Sequence, residues 1–312
     1  MNFVAMRVID ILILCLEAIS MIGNGFTVFL FLRNERLRKN SNLRLILYLT
    51  ITDFLLALTA LPYVIYLNVK WDPVYMDFDP YFIMISSMPL PIQLKINLTL
   101  TIAIAAERNM ALFAPILYRQ INNGHYAICA LAVGVCLAVS DIFLEFRLSP
   151  IMRKPNCAAI GCFVSDEFLL YWGMSNMLLG IFVVVLTTML TWRLRKMKRE
   201  AVRGIKAVKL GVEEKRFNQA NNCSMGILLS SLLFVTLPSI GVGIIYLVGY
   251  SIFTNFGPFY IVGLLLAGCS NSVIYVLLND NLRKLAQTTL GRKSEHSSTI
   301  VVSQIQHSYL KK

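Results

Sequence analysis

Glu107 and Arg108 stand side by side at the end of a run from Tyr81 in which Lys95 is the only other charged residue. An acid and a base set where an apolar stretch meets water hold each other's charge, because few other neutralisers lie near. Such a pair can act as a switch, latching the base in one state and releasing it to a partner in another. Asp53 falls in the middle of the apolar run Asn42 to Asn68, and a bare carboxylate there needs hydrogen-bond partners, a proton or a sodium ion. Asn24 lies in the run Val8 to Leu32, so it shares a network with Asp53 only where those two segments pack together. Lys95 comes 13 residues before Arg108, about 20 Å along a helix. Its partners are Glu17, Asp141, Glu145 or an acidic ligand. An internal ion pair is the simpler reading and a ligand-anchoring ammonium the other. Tyr63, Tyr66, Met88, Trp172 and Tyr246 are bulky side chains at comparable depth, suited to a ligand vestibule or to plain helix packing.

The segments that hold these residues are too apolar for a soluble core. Of 312 residues 57% are hydrophobic and 15% charged, with a mean hydropathy of +0.65, which places the chain in a bilayer. The first run, Val8 to Leu32, is long enough to cross a roughly 30 Å hydrocarbon core. It is too long for a cleaved signal peptide and has no clear small-x-small site after it. Further spans are expected over Asn42–Asn68 with a kink at Pro62, Tyr81–Arg108 bent by Pro89 and Pro91, Tyr126–Phe146, Phe168–Trp192, Asn222–Val248 containing Pro238, and Phe259–Leu278. The fold class predicted is an all-α membrane protein, a seven-transmembrane helix bundle occupying residues 1–290, with a short amphipathic eighth helix. In that helix Leu282, Leu285, Ala286 and Leu290 face lipid. Residues 291–312 are polar and Ser/His-rich, and disorder is expected there.

The net charge of +12 is not spread like a nucleic-acid footprint. All but Arg7, Lys70, Lys95, Arg147, Arg153 and Lys154 of the 29 basic residues fall in alternate connections and the tail. The stretch Arg193 to Arg216 alone carries ten, against Glu200, Glu213 and Glu214. Lys and Arg stay with the cytosolic loops. The N-terminus is therefore expected outside and the C-terminus in the cytosol, in a multi-pass protein of the plasma membrane. Of seven cysteines, Cys157 and Cys162 lie in an outer loop, where they form a short local disulfide or remain two thiols.

Beyond Glu107 and Arg108 the chain keeps Ala111, Pro115 and Tyr118, and near its end Asn271-Ser272-Val273-Ile274-Tyr275 is followed by Asn279 and Arg283. In these motifs the chain resembles rhodopsin-like G-protein-coupled receptors, with Asn109 in place of an aromatic and Ser272 in place of a proline. It departs from their pattern elsewhere. No cysteine lies between Tyr81 and Ser87 to pair with the second outer loop, the fourth span lacks a Trp, and no Trp stands two residues before Pro238. With these losses it looks like the nematode serpentine chemoreceptors, and among them the class bc or sx families. The resemblance implies a chemosensory receptor in which Glu107, Arg108, Asn271 and Tyr275 form the activation switch. Asn24 and Asp53 belong to its polar core, and Arg108, Pro115 and Tyr118 meet a heterotrimeric G protein. A small-molecule ligand would bind among Lys95, Tyr63, Asp141 and Tyr246.

Other functions fit less well. The sequence has no phosphate loop, metal cluster or catalytic triad, and an enzyme is not expected. No Lys lies between Phe259 and Leu278 to bind retinal, so no cofactor is expected apart from a sodium ion near Asp53. The sequon Asn97-Leu98-Thr99 falls within a span and is unusable. The rival is a small multi-span transporter or channel, which broken helix pairs or charges along one path would favour.

Overall fold

The computed structural model describes residues 3–40, 43–72, 75–157, 159–202, 212–248 and 259–291. Among them regular structure is helical throughout. Seven stretches are long and apolar enough to cross a membrane: Arg7–Arg33, Arg44–Val69, Pro80–Phe113, Asn123–Leu148, Asp166–Met197, Gln219–Ile245 and Tyr260–Leu278, here spans 1 to 7. The protein is a seven-span helical membrane bundle. Large apolar side chains point outward along it, among them Ile22, Val139, Phe143 and Phe182, all more than half exposed. Such a belt suits lipid, not water.

Span 3 is the axis. Of its most apolar stretch 67% is buried, against 22% for span 4, and it packs on spans 2, 4, 5 and 6. Span 7 closes the bundle against spans 1, 2 and 6. A central helix enclosed on all sides can carry polar side chains, because each finds a protein partner and avoids hydrocarbon.

Proline sets where the spans bend. Span 2 breaks at Ala60, ahead of Pro62, into Arg44–Thr59 and Leu61–Val69. Span 3 breaks at Met88, between Pro80–Ser87 and Pro89–Phe113. A proline ring has no N–H and displaces the carbonyl four residues back, so each break falls just before it. Span 6 absorbs Pro238 differently. Its helix Val212–Ser231 widens into one π turn over Leu232–Thr236 before continuing as Leu237–Leu247. There Leu237 N bonds Leu232 O, five residues back. Span 7 meets the widened turn at Gly263, where a Cβ would collide with the Phe234 carbonyl oxygen.

Two expectations, on the end of the third span and on the short last helix, are corrected. The third span runs on to Phe113, so Glu107 and Arg108 sit more than a turn inside the helix end. The expectation that the basic stretch Arg193 to Arg216 is built from extensions of the fifth and sixth helices is met where it is described: the fifth helix continues from Asp166 to Val202 and the sixth starts at Val212, while residues 203–211 lie outside those described. The short helix Asp280–Thr289, capped by Asn279 through Asn281 N and Leu282 N, turns Leu282 and Ala286 into the bundle, buried to 1% and 4% exposure. Protein covers them, and Leu290 alone of the four is fully outward at 71%. The tail expected to be disordered lies outside the described residues beyond Gly291.

At the other end of the bundle Cys157 and Cys162 are disulfide-bonded. Their loop is tied to the span 2 to span 3 connection by Asn156 N donating to Met76 O at 2.8 Å. Asn156 takes a positive φ of 61°, a conformation asparagine tolerates better than most residues. The two ends are called below the disulfide end and, for the short helix after span 7, the tail end.

Candidate functional site

At the tail end Arg108 Nη2 donates to Glu107 Oε1 at 2.6 Å, with both side chains 6% exposed. The Tyr118 hydroxyl donates to the same oxygen at 3.2 Å and receives Asn123 Nδ2 at 3.3 Å. Burial raises the Tyr118 phenol above its ordinary pKa, which keeps it a donor. Tyr118 is delivered by the short helix Pro115–Gln120, which starts after Ala114 leaves helical geometry. Pro115 is exposed at its start, and Ile116 and Leu117 stand out at 77% and 53%.

Glu107 and Arg108 face a polar cavity of ≈ 440 Å³, whose walls include Asn40, Ser224, Asn279 and Asn281. Arg108 Nε has no acceptor among the described residues. The guanidinium is thus held by one carboxylate, beside space that could take a partner's acceptors. Asn109 fills the aromatic's place by donating to Ala105 O at 2.8 Å and Leu186 O at 2.9 Å, which bonds span 3 to span 5.

Mid-bundle, Asp53 is met on both oxygens. Gln93 Nε2 reaches Oδ1 at 2.8 Å and Asn271 Nδ2 reaches Oδ2 at 3.2 Å. Asn24 donates to Ser20 Oγ at 3.0 Å and Gly268 O at 3.2 Å. It joins spans 1 and 7 beside Asp53 without a direct bond to it. Tyr275 is fully buried in the tail-end core. Sequence reasoning missed Gln93 as a partner and read Asn97 only as a sequon. Asn97 Oδ1 accepts from Ser231 Oγ at 3.4 Å and from Thr101 Oγ1 at 3.5 Å, which links span 3 to span 6 just before its π turn. The signal was present: Gln93, Asn97 and Thr101 recur every fourth residue, one stripe along a helix.

On another face of span 3, Lys95 Nζ stands 3.1 Å from Asp141 Oδ2 and donates to Ser175 Oγ at 2.9 Å. Tyr171 OH donates to Asp141 Oδ1 at 3.1 Å. Spans 3, 4 and 5 are stitched together there, and of the three candidate carboxylates Asp141 pairs with the ammonium.

The disulfide end holds a narrow cavity of ≈ 70 Å³. Leu90, Leu94, Phe168, Trp172, Tyr260 and Leu264 form much of its wall, and Ala159 to Gly161 its roof. Neither Lys95, Tyr63 nor Asp141 is in its lining. Tyr63 acts from behind, its hydroxyl accepting Ile160 N at 3.2 Å and fixing the roof. The side chain of Tyr246 lies outside the described ones. Glu145, which sequence reasoning treated only as a partner for Lys95, is the charged residue of the lining.

Fold and site together define a polytopic helical membrane protein with a polar axis and a buried, carboxylate-paired arginine near one end. The serpentine type 7TM GPCR chemoreceptor Srbc family matches residues 1–279, and the chain belongs to that family. It is a chemoreceptor of the serpentine class. Comparison with curated proteins gave no match.

Proposed function

We propose that this chemoreceptor binds a small extracellular molecule in the disulfide-end cavity and answers by opening its tail end to a heterotrimeric G protein. The observation that carries the reading is the buried Glu107–Arg108 pair against a polar cavity bounded by spans 2, 3 and 6 and the tail helix. A ligand shifts such a system only through its affinity difference between two states. In the resting state Glu107, itself held by the Tyr118 hydroxyl, holds Arg108. In the active state spans 5 and 6 move outward, the pair parts, and Arg108 meets acceptors on the G protein, while Pro115 and the basic third connection shape the contact. Asn271 couples span 7 to Asp53, and Tyr275 moves with it.

Orientation follows the charge. The basic connections lie at the tail end, so that end belongs in the cytosol and the N-terminus outside, in the plasma membrane. A sodium ion at Asp53 stays part of the proposal. The Asn24 and Asn271 side-chain oxygens accept no hydrogen bond among the described residues and supply the hard donors a monovalent cation takes. Against a transporter, the linings of the apolar and polar cavities share no residue among those described.

The test is ligand-driven guanine-nucleotide exchange on a co-expressed G protein, screened against volatile and pheromone-like compounds. Arg108→Ala should abolish the response at equal surface expression. Charge flux without exchange would favour the transporter.

A further inference from the structure

Among the described residues Glu145 has no counter-charge in its own cavity. The residue is 2% exposed, it lines the disulfide-end pocket, and its Oε2 accepts no hydrogen bond among the described residues. One helical turn away on span 4 is Asp141, and the ammonium buried in this region, Lys95, is matched to Asp141 and Ser175. Two buried carboxylates therefore stand with one buried cation. An isolated charge in a dry site is costly, and a positive partner with good geometry relieves it. The rest of the lining indicates what that partner carries. Trp172 and Tyr260 meet edge to face with ring centroids 4.9 Å apart, and aromatic faces attract ammonium groups. Leu90, Leu94 and Leu264 offer only hydrocarbon.

The available space limits the size. A water-sized group takes about 10–15 Å³ of such volume, and the cavity measures ≈ 70 Å³, which admits about five to seven heavy atoms. We propose that the ligand is a small protonated alkylamine, its ammonium on the Glu145 carboxylate and its alkyl body between Leu94, Trp172 and Tyr260. The proposal rests on the reading of this cavity as the ligand site and adds the ligand's charge class and its anchor. Lys95, for which an internal ion pair was the simpler reading, serves the site by neutralising Asp141, so that Glu145 is left for the amine.

The experiment uses the whole receptor in nanodiscs without G protein, titrated with n-pentylamine or with 1-pentanol, its uncharged match in size, and followed by tryptophan fluorescence. The wild type should bind the amine more tightly than the alcohol. Glu145→Gln should weaken pentylamine by roughly 30-fold or more and leave pentanol unchanged, and Glu145→Asp should keep the preference for the amine. Equal binding of amine and alcohol by the wild type, or pentylamine binding indifferent to Glu145→Gln, overturns the proposal. If Glu145→Gln loses pentanol binding as well, Leu264→Trp fills the cavity while sparing the carboxylate. Unaltered pentylamine binding in that variant is an overturning result, and its loss a supporting one. Nucleotide exchange is read separately. Amine binding that never yields exchange refutes the receptor mechanism and supports this site, whereas exchange driven by a neutral compound, with no pentylamine binding, refutes the amine and supports the mechanism.

Discussion

Removing the charge of Glu107 tests the latch most directly. Glu107→Gln keeps the side chain's shape and its ability to accept from Tyr118, but it ends the attraction to Arg108 across 2.6 Å. With charge centres about 4 Å apart and an effective dielectric near 20, that attraction is about 4 kcal/mol. Much of it does not appear in the conformational balance. The guanidinium borders a polar cavity, where water can replace part of what the carboxylate supplied, and the open state recovers part through a new partner. A differential of about 1–2 kcal/mol is left, which corresponds to an open population about 5–30-fold higher. Ligand-free nucleotide exchange in membranes, normalised to surface receptor, should rise by about that factor, with Arg108→Ala as the silent control. Basal exchange for Glu107→Gln at or below wild type would refute the latch, because no other described residue forms an ion pair with Arg108.

Two further outcomes concern the scaffold. Lys95→Met leaves Asp141 without its cation at 1% exposure and should destabilise the purified receptor by about 3–5 kcal/mol, while adding Asp141→Leu should restore most of the loss. Thermal unfolding of the two variants in the same detergent measures both. Gly263→Ala drives a methyl group into the Phe234 carbonyl at the π turn. It should lower the melting temperature more than Gly241→Ala, whose added Cβ meets nothing within 4 Å.

Much of this architecture could be read along the chain. Span lengths and the Pro62, Pro89 and Pro238 bends follow from hydrophobic length and a missing N–H, which are properties of a residue and its near neighbours. Glu107 and Arg108 were legible for the same reason, being adjacent in sequence at the edge of an apolar run. The disulfide-end cavity was legible only in part. Tyr63, Lys95 and Asp141 were selected for depth and chemistry, yet depth says nothing about which way a helix is turned. The rotation of span 4 directs Glu145 into the cavity and Asp141 toward Lys95.

The sequence by itself determined seven crossings, the charge asymmetry between their loops, and an acid–base pair near the end of the third, because a bilayer selects on local length and polarity. Tertiary structure decided the pairings: Gln93 and Asn271 on Asp53, Asn109 on the carbonyl of Leu186, Asp141 on Lys95, and Leu282 against the bundle instead of lipid. Each joins residues far apart in the chain or sets which side of a helix is covered. Both depend on how helices tilt and rotate to pack, and that is a property of the whole bundle.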